Sequence, residues 1–104
     1  MMPMTLREMQ QEVYQNKLDK GFNVTDINLE FCLAYGELGE AFEAYCRKNG
    51  NVGEELADAM IYILGLGQIL GLDMQAEIER KIDINRRRKY ALVDGVMRRV
   101  QEAD

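Results

Sequence analysis

The feature that most restricts the fold is an apolar run from Ala59 to Leu72 that directly follows acidic residues. It includes Gln68 and has only 14 positions, whereas a membrane span requires roughly 20 apolar residues. On a helix this run is apolar on nearly every face, which is typical of a helix buried in a core or between subunits. We therefore expect a core or dimer helix at this place, and no membrane span.

Two acidic pairs stand beside this run: Glu37 with Glu40, and Glu55 with Asp58. Each pair is spaced i,i+3, so on a helix its two side chains project from one face. A short turn at residues 49–51 makes the two helices antiparallel neighbours. We expect the four carboxylates to converge across one helical hairpin.

Carboxylates in apolar surroundings need a compensating cation, because removing a lone charge from water is costly. Lysine, arginine or a divalent cation can supply that charge, and four mutually repelling carboxylates favour a multivalent ion. We expect Mg²⁺ or Mn²⁺, which prefer hard oxygen ligands. A single acidic pair usually lies on a solvated helix face, but two pairs on adjacent helices favour a metal site.

Composition excludes several other classes of protein. The chain has 104 residues, a net charge of −5 and no histidine, so we expect one domain over residues 1–104 without Ser-His-Asp, Cys-His or histidine-zinc chemistry. The negative charge argues against a nucleic-acid surface. Residues 1–10 lack the apolar core of a signal peptide, so we expect a cytoplasmic protein with both cysteines reduced.

The helical pattern predicts an all-α fold, a helical hairpin bundle of four to five helices. The first helix opens with a capping box at Thr5 and runs to about Lys20, where Gly21 ends it. Its expected inner stripe is Leu6, Met9 and Val13. After a loop over residues 22–27, the first acidic helix continues to about Lys48, with Glu30, Glu37 and Glu40 on its outer side. Its expected inner residues are Phe31, Ala34, Leu38, Phe42 and Tyr45.

The remaining helices follow from similar signals. Asn51 with Glu54 predicts a capped third helix that ends near Gly71. Asp73 predicts the start of a fourth helix that runs to about Tyr90, with Ile78 and Ile82 facing inward. The tail from Ala91 to Asp104 is interpreted as a short amphipathic helix. So small a chain with so apolar a helix predicts a homodimer or homotetramer, in which a four-helix bundle is completed.

Six of the 13 basic residues lie in two short segments, 80–81 and 86–89. Such a run is usually a solvated face. In a protein with an acidic metal site it favours a phosphate clamp, because arginine offers phosphate two donors and lysine a point charge.

Three segments of the sequence resemble the successive motifs of the MazG-like, all-α nucleoside triphosphate pyrophosphohydrolases. They are Gly36-Glu-Leu-Gly-Glu40, Glu55-Leu-Ala-Asp58-Ala-Met-Ile-Tyr62 and Lys81-Ile-Asp-Ile-Asn85-Arg-Arg-Arg-Lys-Tyr90. The resemblance implies Mg²⁺-dependent cleavage of a nucleoside triphosphate between its α and β phosphates. It also implies that the four carboxylates are metal ligands and catalytic residues, that Tyr62 faces the nucleotide, and that the last motif binds substrate through Lys81, Asn85 and Arg88.

The last motif is closest to the subgroup similar to dCTP pyrophosphatases, which lacks the inserted Lys89. That subgroup places tryptophans beside the base, whereas this chain has none, and Phe22 or Tyr35 is expected in their place. Either Glu37 or Glu40 is the expected general base. Two alternatives remain open: a phosphoribosyl-ATP pyrophosphohydrolase, and a non-catalytic helical module that binds nucleotide or metal or serves as a dimerising scaffold.

Overall fold

The computed structural model describes residues 2–48 and 50–102, so Asn49 of the expected turn and residues 103–104 of the tail lie outside the described part. The described residues form four helices and one two-stranded sheet. The four predicted helices are therefore confirmed, but a purely helical chain is not. Residues 1–74 and 75–104 make up two compact units, while one functional domain over residues 1–104 stays a prediction.

The elements follow one another with short connections. They are α1 Leu6–Lys20, α2 Ile27–Arg47, α3 Val52–Ile69, α4 Met74–Arg87, β1 Lys89–Val93 and β2 Val96–Gln101. No single helix among the described residues is both long and apolar enough to cross a membrane.

Local signals set most of the helix ends. The predicted capping box of α1 is confirmed, because the Thr5 hydroxyl accepts from the Glu8 amide at 3.1 Å and the Glu8 carboxylate accepts from the Thr5 amide at 3.0 Å. Gly21 ends α1 in the left-handed conformation, with φ of 70°, which glycine adopts without steric cost. Asn51 is the N-cap residue of α3, as predicted, but its side chain makes no capping hydrogen bond.

The first unit is built around α3, which packs against both α1 and α2. Its buried apolar side chains are small or of moderate size: Ala41, Ala44, Ala59, Leu64 and Leu66. Two glycines of α3 make room for other segments. A Cβ atom at Gly65 would lie 2.8 Å from Lys17 Cε, and one at Gly67 would lie 2.3 Å from Met74 Cγ.

The large apolar side chains of the α2–α3 hairpin are not buried within the chain, which contradicts the predicted burial. Phe31, Leu38, Phe42 and Tyr45 are 45 to 68% exposed, and Ala34 is half-buried. Helix α3 is not buried on every face within the single chain either, since Met60 and Ile63 are more than 40% exposed, and its burial between subunits stays a prediction. In contrast, Glu30 was placed on the outer face and is only 1% exposed.

The inner face of α1 is more polar than predicted. Leu6 and Val13 are half-buried and Met9 is exposed, but the buried residues of α1 are Gln10 and Lys17. Gln10 Nε2 donates to the Gln68 side chain at 2.9 Å and to the Leu72 carbonyl at 2.7 Å, and Gln10 Oε1 accepts from the Met74 amide at 3.0 Å. One amide thus connects α1 to the end of α3 and to the start of α4.

The second unit corrects the predicted fifth helix. Helix α4 ends at Arg87 instead of Tyr90, and β1 and β2 then form an antiparallel hairpin in which Leu92 pairs with Met97 and Val93 with Val96. Asp94 and Gly95 at the turn both have positive φ, 53° and 80°, as a type I′ turn requires. No described residue from 75 to 102 is buried. The inward position predicted for Ile82 is wrong within the single chain, because Ile82 is 51% exposed. Ile78, also predicted to face inward, is half-buried.

Candidate metal centre

The α2–α3 hairpin brings three of the four predicted carboxylates into one cluster. One carboxylate oxygen from each of Glu37, Glu55 and Asp58 lies within 4.8 Å of the other two. Glu37 comes from α2, and the other two residues lie one turn apart on α3. Packing of the two helices therefore determines how close these oxygens come.

Glu40, the fourth predicted carboxylate, belongs to the same electrostatic group. It lies one turn after Glu37 and is exposed. Its charge and its hydrogen bonding raise the pKa of Glu37 and of Glu55. Glu40 thus influences a residue on each helix, while its own exposure leaves it open to water.

The cluster is negatively charged and partly removed from water. Desolvation is the largest cause of the raised pKa of Glu37, followed by the charges of Glu40, Asp58 and Glu55. The pKa of Glu55 is raised by desolvation first, and then by Glu40 and Asp58. Protonation or cation binding would relieve this repulsion, because either removes negative charge from the cluster.

One oxygen of the cluster is buried without compensation. Glu55 Oε2 is inaccessible to solvent and has no hydrogen-bond partner among the described residues. None of the ion pairs among residues 2–48 and 50–102 involves any of the four carboxylates. A buried hydrogen-bond acceptor that has no hydrogen-bond donor is costly. A set of ligands made up only of oxygen atoms suits Mg²⁺ or Mn²⁺. The residues present therefore fit a divalent cation.

Tyr62 lies one turn beyond Asp58 on α3 and is half-buried. Burial is the largest cause of the raised pKa of its phenol, and the charges of Glu37, Glu30 and Asp58 raise it further. The phenol therefore stays protonated around neutral pH and is available as a hydrogen-bond donor.

Tyr62 also lines a cavity of about 310 Å³. Residues of α1, of α3 and of the loop between α1 and α2 complete its wall: Glu12, Val13, Asn16, Lys17, Phe22 and Ile61. Phe22 and Tyr62 are its two aromatic residues. Tyr35, the other aromatic residue expected beside a base, instead lines a separate apolar groove between α2 and α3.

The predicted phosphate-binding residues Lys81, Asn85 and Arg88 belong to the second unit. Lys81 is exposed. Arg88 Nη1 donates to Asn85 Oδ1 at 3.1 Å, and Arg88 Nε is buried, 3.4 Å from a Glu102 carboxylate oxygen but without hydrogen-bond geometry. Arg88 therefore connects the end of α4 with the end of β2, and substrate binding by these three residues stays a prediction.

The sequence interpretation missed Lys17 and Glu30, which form a buried ion pair beside Tyr62. Gln10, Val13 and Lys17 recur at i, i+3 and i+7, a spacing that places them on one helix face. Glu30 lies two turns before Glu37. Glu30 was expected on the outer side of α2 and no role was predicted for Lys17, because local spacing does not reveal that the two charges meet across two helices.

The raised pKa values predict a specific pH dependence of stability for the metal-free protein. A carboxyl group whose pKa is higher in the folded than in the unfolded state contributes stability below the unfolded value, near 4.5. That contribution is lost as the pH rises through the folded value. We expect Glu55→Gln to gain stability relative to wild type as the pH is raised from about 5 to about 7.

Urea unfolding at fixed protein concentration measures this difference, with Glu43→Gln as the control on an exposed face of α2. Adding Mg²⁺ should raise the melting temperature of wild type more at the higher pH, because protons then compete less for the carboxylates. Parallel stability curves for wild type and Glu55→Gln would contradict the electrostatic interpretation of the cluster.

Comparison with known proteins agrees with the motifs. Residues 29–100 match the model of the MazG-like family, and this segment includes every candidate site residue from Glu37 to Arg88. Searches of curated proteins and of solved structures give no significant match. Because the family model covers more than half of the sequence, the chain belongs to the MazG-like family.

Proposed function

We propose that this chain is a Mg²⁺-dependent nucleoside triphosphate pyrophosphohydrolase, which converts a nucleoside triphosphate to the monophosphate and pyrophosphate and serves in nucleotide-pool house-cleaning. One observation carries the proposal: three carboxylates from two packed helices converge within 4.8 Å in a MazG-like chain. The uncompensated Glu55 Oε2 supports it, since a cation ligand explains a buried oxygen that has no donor.

In this proposal Glu37, Glu55 and Asp58 hold the cation, with Glu40 beside them. A Mg²⁺ ion held by these residues would neutralise phosphate charge and would lower the pKa of a water molecule bound to it. Of the two candidate general bases, Glu40 is better supported, because it is exposed and lies outside the group of three closest oxygens. Its carboxylate takes the proton of the attacking water. The water oxygen bonds to the α phosphorus, and pyrophosphate leaves with the electrons of the broken bond.

The nucleoside is proposed to enter the 310 Å³ cavity beside Tyr62. Phe22 lines this cavity and Tyr35 does not, so Phe22 is the aromatic residue proposed to pack against the base. The dCTP pyrophosphatase-like subgroup is retained as a proposal for the substrate class. It rests on the Asn85-Arg-Arg-Arg88 run.

The carboxylates supply the first test of this function. We expect Glu40→Gln and Asp58→Asn each to lower kcat/KM by about 100-fold or more, because one loses the proposed base and the other a ligand. Pyrophosphate release from a panel of nucleoside triphosphates with Mg²⁺ measures the loss, and circular dichroism checks that the helices remain. Calorimetric titration should show that Asp58→Asn loses more affinity for Mg²⁺ than Glu40→Gln does.

Glu43→Gln is the matched control, since Glu43 lies one turn after Glu40 on α2 and pairs only with exposed Arg47 in the described ion pairs. Wild-type turnover in both site variants would place the active site elsewhere. Phosphoribosyl-ATP as the best substrate would select the alternative enzyme class. Cation binding without pyrophosphate release from any substrate would select the non-catalytic module.

The basic residues of the second unit give a separate prediction. If Lys81 and Arg88 bind phosphate, Lys81→Ala and Arg88→Ala should each lower kcat/KM by roughly tenfold or more, because a charged hydrogen bond contributes about 1.5 to 3 kcal/mol. Arg88→Lys should also lose activity, since it keeps the charge and removes the two-donor geometry. Steady-state kinetics on the best substrate measures each change.

Two controls separate binding from folding in this experiment. Arg98→Ala removes an exposed charge of the same unit and should leave kcat/KM unchanged. Glu102→Gln weakens the ionic contact of Arg88 without removing its guanidinium. Activity loss in Glu102→Gln equal to that in Arg88→Ala, or wild-type rates in both Lys81→Ala and Arg88→Ala, would reject the phosphate clamp.

We also propose that a second copy of the chain covers the apolar groove of the α2–α3 hairpin and completes a four-helix arrangement. The groove has a volume of about 640 Å³, and its wall includes Phe31, Leu38, Met60 and Ile63, which are 42 to 55% exposed. Apolar surface of this extent on a small chain is typical of an interface. A dimer and a tetramer are both consistent with one groove on each chain.

Light scattering at micromolar concentration should therefore give at least twice the chain mass of 12.0 kDa. Ile63→Lys should reduce the mass to that of one chain, because it places a charge in the covered groove. Leu18→Lys, on α1 outside the groove, should leave it unchanged. A wild-type mass near 12 kDa would contradict the proposed assembly.

A further inference from the structure

Lys17 is a buried cation that the proposed chemistry does not use. It lies near the end of α1 with a side chain only 8% exposed, and its Nζ is bonded to Glu30, whose side chain is 1% exposed. Such a pair is costly to desolvate, and well-packed apolar residues often replace one without loss of stability. Stability alone is therefore a weak reason for placing two charges here.

The pair joins all three helices of the first unit. Glu30 belongs to α2, and its second oxygen accepts from Asn23 Nδ2 at 3.1 Å. Asn23 in turn accepts from the Asp26 amide at 3.0 Å through its Oδ1, which fixes the loop before α2. On α3 the Lys17 side chain crosses Gly65, where a Cβ would come within 2.8 Å of Cε.

The end of this side chain lies beside Tyr62. Lys17 Nζ lies over the Tyr62 ring, 5.2 Å from its centroid, a distance at which a cation attracts the face of an aromatic ring. Both residues line the 310 Å³ cavity. The Lys17 ammonium is thus fixed by Glu30 on one side and faces the Tyr62 ring on the other.

We infer that Lys17, held by Glu30, is a positioning residue that sets the orientation of the Tyr62 ring for the nucleotide. This inference rests on the proposed function, because Tyr62 is the residue proposed to face the substrate. No ion pair of Lys17 with the four carboxylates occurs among the described residues, so its effect is on substrate binding and not on bond cleavage. Gly65 contributes to the same positioning, because a larger residue at this place would displace the aliphatic part of the Lys17 side chain.

Two variants test the inference by different routes. Lys17→Met/Glu30→Leu removes both charges and leaves neither partner buried alone. Gly65→Ala keeps both charges, moves the Lys17 stem and improves helix propensity, so an effect in this variant cannot come from a lost charge. We expect KM to rise about tenfold in the double variant and less in Gly65→Ala, with kcat within about twofold of wild type in both. Lys20→Met, an exposed change on α1, is the control and should keep the wild-type KM.

A second measurement does not depend on turnover. In protein labelled with ¹³C-tyrosine, the Tyr62 ring resonances, assigned with Tyr62→Phe, should shift in both variants more than those of the other four tyrosines. Thermal unfolding tests whether each variant is folded. If the double variant does not fold, the resonances and the KM of Gly65→Ala decide whether Lys17 positions Tyr62.

The outcomes separate this inference from the proposed function. A folded variant with unchanged Tyr62 resonances and unchanged KM would overturn the inference and leave only a structural ion pair. A fall in kcat at constant KM would also overturn it, because positioning for binding predicts the opposite split. If wild type releases no pyrophosphate from any nucleotide, the proposed function fails, and the ring resonances then decide whether Lys17 holds Tyr62.

Discussion

Repulsion among carboxylates on two packed helices is the constraint on which the rest of the first unit depends. Packing of α2 against α3 brings Glu37, Glu55 and Asp58 within 4.8 Å, and the described ion pairs bring no lysine or arginine to them. Helix packing therefore has to stabilise an arrangement that electrostatics opposes. Among the described residues no hydrogen-bond donor reaches Glu55 Oε2, and a cation bound at such an oxygen would contribute to the stability of the fold.

The polar contacts of α1 support this hairpin from the side. Gln10 holds the end of α3 and the start of α4 through three hydrogen bonds, and Lys17 holds the start of α2 through Glu30. Close approach of these long side chains is possible because α3 has glycines at positions 65 and 67. The geometry of the acidic cluster thus depends on buried polar bonds as well as on apolar area, and such bonds are directional. That property suits a site whose oxygens have to be held in place.

The sequence predicted the part of the structure that local signals determine. The Thr5 capping box, the Gly21 stop and the i,i+3 acidic pairs depend on residues close in the chain, and the structure has each of them. The sequence did not predict the β1–β2 hairpin, because Leu92, Val96 and Val100 also satisfy a helical spacing. Asp94-Gly95 is nevertheless a strong turn signal. Burial of Lys17 with Glu30 was not predictable from local pattern, because each charge is tolerated only by the other, which lies on another helix.

Charge distribution along the chain bears on how an acidic site can accept a polyanion. Residues 75–104 contain eight of the 13 basic residues and six of the 18 acidic ones, so residues 1–74 carry most of the negative charge. A triphosphate approaching the carboxylate cluster of the first unit without a cation would meet repulsion from every member of it. Under the proposed function, a divalent ion held by the carboxylates would offset part of this negative charge and would therefore favour binding as well as chemistry. Under the same proposal, Lys81 and Arg88 would supply further positive charge to the phosphates.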